Sequence, residues 1–180
     1  IVAFYDPTIS EADFEGRRLD QILAFNDNEL EYHHDFIQYL FPLPERSPVN
    51  PHAPTITKDV RDAFLSRPDL RQQLTRSLQR MLEFYGFTTS PQSQHTDTIS
   101  IVRGANFQGA SKATWRTRMD HNHLRISRIL RSLRVLGLDA EAKAFYDALL
   151  ENDRDGSVSQ RSKLYWQRAV ERGLHLAPQD

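Results

Sequence analysis

Apolar side chains recur every three or four positions along most of the chain, which is the spacing of one face of an α-helix. The clearest stripe follows Pro68, ends before Gly86, and consists of Leu70, Leu74, Leu78, Met81 and Tyr85. A proline in the first turn and a glycine after the last turn are typical helix boundaries. The pattern therefore predicts one long amphipathic helix from about Pro68 to Tyr85.

Weaker stripes of the same period predict six more helices. They lie at Leu19–Leu23, from Asp27 through His34 to Phe41, from Thr57 to Phe64, from Trp115 to Leu136, from Asp139 to Leu149, and around Leu164–Val170. Strand signals are rare in comparison. We therefore predict an all-α fold, a compact single-domain bundle of about seven helices over residues 1–180.

Two stretches interrupt the helical pattern. Residues 43–54, LPERSPVNPHAP, contain four prolines and predict an extended segment that crosses the surface and can wall a cleft. Residues 87–112 are mostly polar, with only Thr98–Val102 resembling a strand, and they predict a long loop or lid. Residues 151–180 are expected to hold the last helix, after a turn that imitates the start of a calcium loop without its final glutamate.

Composition narrows the functional classes. The 180 residues carry 23 basic and 24 acidic side chains, and this balance argues against the broad positive surface that sequence-independent nucleic-acid binding requires. There is no cysteine, so disulfides and thiolate chemistry are excluded. The sequence shows neither a signal peptide nor an apolar run of about 18 residues. We therefore expect a soluble, intracellular and cytoplasmic protein without a membrane segment.

The segment YHHDFIQYLF, residues 32–41, places titratable side chains at the edge of an apolar stripe. If the helix is continuous, His34 lies on the inward face, whereas His33 points about 100° away. Asp35 and Gln38 then share the neighbouring edge. The pattern predicts that His34 is buried and that Asp35 and Gln38 reach the same partner or cleft.

A second polar group opens the helix that follows residue 120. Asn122 lies one turn before Ile126 and extends the core stripe, with His121 and His123 on either side. Arg125 lies one turn beyond His121. Two sequence-distant groups of histidine and amide side chains therefore lie at the ends of apolar helices.

Aromatic and basic side chains supply further ligand-binding candidates. Phe41, Tyr85 and Trp115 are most simply core residues, but they can also line an apolar cavity between helices. Arginines at every third position from Arg125 to Arg134 suggest a solvated helix face. A bound carboxylate or phosphate is the alternative interpretation of that face.

Three interpretations of the histidines remain open. In the first, His34 and Asn122 are buried polar groups that fix helix packing through hydrogen bonds. In the second, His34 and His121 meet across an enclosed pocket as acid, base or hydrogen-bond donor, with Asp35 or Asn122 holding the tautomer. The third is a metal site, but no HExxH spacing is present, so no metal or other cofactor is expected.

Three blocks of the sequence, read in chain order, are LEYHHDFIQYLFPLPERSPVNPHAP, LRQQLTRSLQRMLEFYGF and DHNHLRISRILRSLRVLGL. Together they resemble the conserved domain of the opioid growth factor receptor family over about residues 4–150. The resemblance implies an all-helical domain found at the head of animal receptors reported to bind an enkephalin peptide, and also as small stand-alone microbial or fungal proteins. We expect the stand-alone type, because no repetitive tail follows. The family's motif residues match His34, His121, Asn122, Leu124 and Arg125.

Two functions are compatible with these features. The favoured prediction is a cofactor-independent enzyme, a cyclase, isomerase or other proton-transfer or pericyclic catalyst acting on a largely apolar small molecule, with catalytic groups at His34, His121, Asp35 and Asn122. Its predicted ligand-binding residues are Gln38, Phe41, Tyr85, Trp115, His123 and Arg125. The alternative is a non-enzymatic, receptor-like module that binds a peptide or a partner helix in a groove beside the PLPERSP segment. The oligomeric state stays open.

Overall fold

A computed structural model describes residues 1–48, 50–90 and 99–175. These residues form a two-stranded sheet, β1 Phe87–Thr89 with β2 Ile101–Arg103, and ten helices: α1 Val2–Tyr5, α2 Leu19–Leu23, α3 Asp27–Tyr32, α4 Phe36–Leu40, α5 Lys58–Ser66, α6 Pro68–Tyr85, α7 Phe107–Thr114, α8 Asn122–Val135, α9 Asp139–Glu151 and α10 Gln160–Glu171. The predicted all-α class is confirmed, with more and shorter helices than expected. In the described ranges, no helix combines the length and the apolar character that crossing a membrane would need.

Helix α6 has the boundaries that its sequence predicts. Pro68 occupies the first turn, and the buried face includes Leu70, Leu74 and Tyr85. The helix ends at Gly86, whose φ of 90° lies in the left-handed region that favours glycine. A Cβ atom at this position would lie 2.8 Å from the Cα of Phe107. Gly86 therefore both ends α6 and lets α7 pack directly against it.

Helix α8 packs against both α9 and α10, and these two helices also contact each other. Its core face is the predicted stripe of Ile126, Ile129, Leu130 and Leu133, all fully buried. The indole of Trp166 on α10 donates a hydrogen bond from Nε1 to the carbonyl of His123 at 3.0 Å. This bond and the apolar packing fix α10 alongside the first half of α8.

The prediction of one continuous helix from Asp27 to Phe41 is wrong. The chain forms two helices there, α3 and α4, and His33 between them is extended. Arg125 of α8 donates to the carbonyl of Leu30 at 2.8 Å and to that of His33 at 2.7 Å. In a continuous helix these two carbonyls would accept from the amides four residues later. The guanidinium of Arg125 replaces those amides as the donor, and α3 ends at Tyr32.

The stretch predicted as a loop or lid, residues 87–112, contains regular structure in its described part. Strands β1 and β2 pair antiparallel, with Phe87 opposite Arg103. Helix α7, which the sequence did not predict, begins at Phe107, where the buried rings of Phe87 and Phe107 pack together with centroids 5.3 Å apart. Residues 91–98 of this stretch lie outside the described residues.

The proline-rich segment closes into a loop on the surface. Leu43 and Thr55 form an isolated parallel bridge, and the amide of Ile56 donates to the carbonyl of Leu43 at 2.9 Å. The two ends of the segment are therefore held together while its prolines cross between them. Leu43 is half-buried, and its side chain faces a groove beside α8.

Candidate ligand-binding site

The imidazoles of His34 and His121 lie together, with ring centroids 5.2 Å apart and planes 75° from each other. Arg125 approaches His34 Nδ1 at 3.3 Å through Nη2. A guanidinium can only donate, so Nδ1 of His34 accepts and the neutral ring carries its proton on Nε2. Both histidines are exposed, which corrects the expectation of a buried His34 in an enclosed pocket. The reason is that α3 ends at Tyr32, before the inward stripe reaches His34.

His121 lies between two carboxylates. Its Nε2 is 3.3 Å from Glu31 Oε1, and its Nδ1 is 3.4 Å from Asp120 Oδ1. One ligand atom from each of the three residues lies within 4.8 Å of the others, so the group has a spacing that a metal ion can bridge. Both carboxylates also hold Asn122, through Nδ2 to Glu31 at 3.1 Å and through its backbone amide to Asp120 at 2.8 Å. These bonds give the cluster a structural role at the start of α8.

Asn122 itself is fully buried. Its Oδ1 accepts from Arg125 at 3.2 Å and lies 3.5 Å from the hydroxyl of Tyr85. Burial raises the pKa of the Tyr85 hydroxyl well above its usual range, so this group stays a neutral donor. These contacts match the first interpretation of the sequence, in which Asn122 fixes the packing of helices.

Asp35 and Gln38 lie away from the two histidines' contacts. Asp35 pairs with Arg17, at 2.6 Å between Oδ2 and Nη2. Partial burial opposes ionisation of Asp35, but the hydrogen bonds from Arg17 outweigh it and lower the pKa of this carboxyl group. Gln38 accepts a hydrogen bond from the amide of Asn50. Asp35 therefore contacts a residue that precedes α2, and Gln38 contacts a residue of the proline-rich segment that follows α4.

The predicted aromatic ligands are core residues. Phe41, Tyr85 and Trp115 are completely buried. The indole of Trp115 donates to the carbonyl of Tyr85 at 3.0 Å, which ties the end of α7 to the end of α6. A ligand cannot reach these rings without displacing the core.

An open groove of about 560 Å³ lies between α8 and α10. Helix α8 and the turn before it contribute Asp120, His123, Leu124, Ser127, Arg128 and Arg131. Helix α10 and its cap contribute Ser159, Arg161, Ser162 and Tyr165. Leu43 and Met119 complete the lining. We call this site the α8–α10 groove.

The α8–α10 groove exposes large apolar side chains to solvent. Met119 is 82% exposed and Leu124 is 72% exposed, whereas the core stripe of α8 on the other face is buried. Exposed apolar side chains grouped in a concave surface are typical of a binding site. Of the ten residues predicted for the site, His123 is the one that lines this groove.

One wall of the groove carries a chain of hydrogen bonds. The hydroxyls of Ser159 and Ser162 are 2.9 Å apart, and Ser162 Oγ is 2.9 Å from His123 Nδ1. His123 Nε2 is 2.8 Å from the carbonyl of Trp115, so the ring donates there and Nδ1 accepts from Ser162. His123 is 4% exposed and both of its ring nitrogens are hydrogen-bonded, which fixes the orientation of its ring in this wall.

The arginines spaced three apart on α8 do not form a solvated face, and that expectation is wrong. Arg125 and Arg131 are only 5% and 2% exposed. The guanidinium groups of this row donate to carbonyls near the carboxyl ends of α3, α4 and α10, where cations complement the helix dipole. The acceptors are Leu30 and His33 for Arg125, Phe41 for Arg128, Leu174 and the Glu45 carboxylate for Arg131, and Ala169 and Arg172 for Arg134.

Sequence reasoning missed most of the α8–α10 groove, including Met119, Leu124 and Tyr165, and considered Arg128 only as part of the arginine row. One signal was present. Leu124 is an apolar residue about 200° around the helix from Ile126, so it lies off the core stripe. An apolar side chain on the outward face of an otherwise complete amphipathic helix indicates either a contact surface or a chance exposure.

Comparison with protein-family models places residues 4–172 within the opioid growth factor receptor conserved region. The chain belongs to this family. The match runs through α10, beyond the limit near residue 150 that the sequence blocks suggested. No solved structure matches the chain.

Curated relatives agree with this assignment. The opioid growth factor receptor of Rattus norvegicus is 40% identical over 162 residues, which cover 86% of this chain and 27% of the receptor. The receptor of Homo sapiens is 39% identical over 115 residues, covering 63% and 16% of the two chains. Opioid growth factor receptor-like protein 1 of Mus musculus is 30% identical over 129 residues, covering 69% and 26%. The chain thus spans about a quarter or less of the length of these relatives.

These comparisons overturn the enzyme prediction. The family and the similar full-length proteins carry receptor names, so the cyclase or isomerase interpretation is wrong. The receptor-like alternative, a module that binds a peptide or a partner, has the better support. The proposed catalytic pair also lacks the enclosed pocket that the enzyme required, since both rings are exposed.

Proposed function

We propose that this domain is a non-enzymatic, receptor-like module that binds a short peptide along the α8–α10 groove. The proposal rests on one observation. The groove has a volume of about 560 Å³, and Met119 and Leu124 are exposed in it beside Leu43, where the proline-rich segment begins. The relatives are named opioid growth factor receptors, which makes that growth factor a candidate occupant to test first.

The dimensions of the groove suit an extended peptide. Its α8 side runs from Asp120 to Arg131, which corresponds to roughly 16 Å of helix at about 1.5 Å per residue. An extended chain of about five residues covers that distance. Apolar peptide side chains would pack on Leu124 and Tyr165, and serine hydroxyls and guanidinium groups at the rim would fix orientation.

The test begins with a random peptide library displayed on phage and selected on the immobilised domain, with opioid growth factor measured beside it. Selected peptides are synthesised with a fluorescent label, and their Kd values are measured by anisotropy on wild type and on Leu124→Glu. A carboxylate placed in the apolar part of the groove is expected to raise Kd by about tenfold or more, as for loss of a central interface residue. Met119→Glu is expected to act in the same direction.

Leu164→Glu is the matched control. Leu164 is also an exposed leucine on a helix beside the groove, 46% exposed, but it does not line the groove. Its substitution is expected to leave Kd unchanged within about twofold, because surface substitutions away from a contact have small effects. Selected peptides that bind Leu124→Glu as tightly as wild type would show that the α8–α10 groove is not the site. Recovery of no peptide that binds would count against the function itself.

A further inference from the structure

We infer that the peptide bound in the α8–α10 groove presents a carboxylate group and that Arg128 is the residue that receives it. This inference rests on the proposed function and specifies the chemistry of its ligand. The carboxylate is the carboxyl terminus of the peptide, and the residue that carries it is apolar.

Arg128 differs from the other arginines of its row in how few of its donors are used. Within the described residues, its one hydrogen bond runs from Nη1 to the carbonyl of Phe41 at 3.1 Å. A guanidinium group carries five N–H donors, so Nε and Nη2 have no acceptor among the described residues, and Arg128 lines the groove. By contrast, Arg125 and Arg134 each donate hydrogen bonds to two or more acceptors away from the groove.

The charge of Arg128 has no close counter-charge in the described part of the chain. The nearest candidate, Glu45, is 2.9 Å from Arg131 Nη2 and is paired with that residue. Partial burial lowers the pKa of Arg128, and the field of Glu45 opposes this without a direct contact. A partly buried cation that lacks an ion-pair partner favours an anion in the space beside it.

The remaining charges of the groove point to the same ligand chemistry. Arg161 is exposed, with its guanidinium carbon 5.9 Å from the ring centre of Tyr165. Asp120 is the acidic residue among the lining side chains, and it is occupied by the amide of Asn122 and by His121. Arg128, Arg131 and Arg161 against Asp120 and the paired Glu45 leave an excess of positive charge along the groove. A guanidinium with adjacent free donors binds carboxylates through two parallel hydrogen bonds.

Apolar lining beside this cation defines where the carboxylate stands relative to the rest of the ligand. Leu124 lies one helical turn before Arg128 on the same face of α8, and Leu43 follows closely after the Phe41 carbonyl that Arg128 contacts. A carboxylate at Arg128 therefore places its nearest apolar group on Leu124 or Leu43. The minimal ligand is an acylated leucine with a free carboxyl group.

The experiment uses N-acetyl-leucine and N-acetyl-leucinamide, which share the side chain and differ in the negative charge. Both are titrated into the ¹⁵N-labelled domain, and backbone and arginine Nε–Hε resonances are followed by NMR. The acid is expected to bind about tenfold more tightly than the amide and to shift the Arg128 Nε–Hε signal, as for a charge-assisted hydrogen bond. Added salt is expected to weaken the acid and not the amide.

Arg128→Met keeps an apolar stem of similar length and is expected to reduce the affinity for the acid to that for the amide. Arg161→Met removes the same charge from the same groove and is expected to preserve most of the preference for the acid. A preference that survives in Arg128→Met, or that is lost only in Arg161→Met, would overturn the assignment. Equal affinity of acid and amide in the wild-type domain would by itself overturn the inference that the ligand presents a carboxylate.

These outcomes are distinct from a failure of the proposed function. If selected peptides bind and Leu124→Glu abolishes their binding, but acid and amide are equivalent, the groove is a peptide site whose ligand needs no carboxylate. If the acid shows its preference while library peptides fail to bind, the groove receives a small carboxylate and not a peptide. Thermal melting of Arg128→Met, run beside the titration, reports whether the variant is folded.

Discussion

At the scale of single residues, one guanidinium group connects segments that lie far apart in the chain. Arg125 donates to the carbonyls of Leu30 and His33, to Asn122 Oδ1, and to His34. Its guanidinium also lies over the ring of Phe36, with the carbon 5.5 Å from the ring centre. The contacts end α3 and attach the α3–α4 junction to α8.

Replacement of Arg125 by methionine is expected to lower the free energy of unfolding by about 2–4 kcal/mol, because buried carbonyl and amide oxygens would lose a charged donor. Urea denaturation followed by circular dichroism measures the loss. Arg154→Met is the control, since the side chain of Arg154 is 80% exposed. A loss for Arg125→Met no larger than for this control would contradict the structural role.

The residue scale also shows why sequence reasoning placed the arginine row on the wrong face. Arg125 and Arg131 are buried because carbonyl and carboxylate acceptors from distant segments meet them. A helical pattern shows where a side chain points but does not show which acceptors the fold brings to it. By contrast, the meeting of His34 and His121 was one of the interpretations drawn from the two polar groups of the sequence, whereas the predicted burial of His34 was wrong.

At the scale of elements, the chain uses glycine where a helix must end close to a neighbouring backbone. Gly86 has a φ of +90°, and a Cβ atom there would approach the Cα of Phe107 to 2.8 Å. Gly156 also has a positive φ, of +72°, but a Cβ atom there would find no heavy atom within 4 Å. Substitution of Gly156 would therefore cause backbone strain alone, whereas substitution of Gly86 would cause both backbone strain and steric overlap.

Gly86→Ala is expected to lower the free energy of unfolding by more than Gly156→Ala. Both variants force alanine into the left-handed region, at about 1–2 kcal/mol. Gly86→Ala must in addition move α7 away from α6, which disturbs the packing of Phe107. Thermal melting of the two variants side by side measures the difference, and equal melting temperatures would show that α7 yields without cost.

Element boundaries were predictable wherever the cause was local. Thr57 accepts from the amide of Val60 at the start of α5, and Gly86 ends α6, as the sequence indicated. The break at His33 was not predictable, because its cause is Arg125 from α8. Helix α7 was missed for a similar reason, since Phe107 is stabilised by Phe87 and Trp115 and not by a long stripe of its own.

At the scale of the whole molecule, the carboxylate of Asp6 holds the end of α1 against the junction of α5 and α6. Asp6 is 2.8 Å from Arg67 at the junction of α5 and α6 and accepts from the hydroxyl of Thr8 at 2.6 Å. Hydrogen bonds from Thr8 and Arg67 hold the pKa of the Asp6 carboxyl well below its usual range. The ionised form therefore stabilises the folded state.

The sign of the pH effect follows from this depressed pKa. The stabilisation is complete above the unfolded value of about 4 and is lost as the pH falls toward the folded value. Asp6→Asn is therefore expected to make the unfolding free energy fall less steeply in acid than in wild type, as measured by urea denaturation at a series of pH values. Thr8→Val, which removes one hydrogen bond and keeps the carboxyl group, is expected to give an intermediate slope. A wild-type slope in Asp6→Asn would exclude Asp6 as a source of the acid sensitivity.

Helix α8 serves two purposes, since its arginines hold the ends of other helices and its Leu124 faces the groove. Changes in the first group would loosen the architecture. Leu124 and the neighbouring Met119 carry no such bond among the described contacts, and both are largely exposed. Under the proposed function, the preference for one peptide over another can therefore diverge through these two positions with little effect on folding.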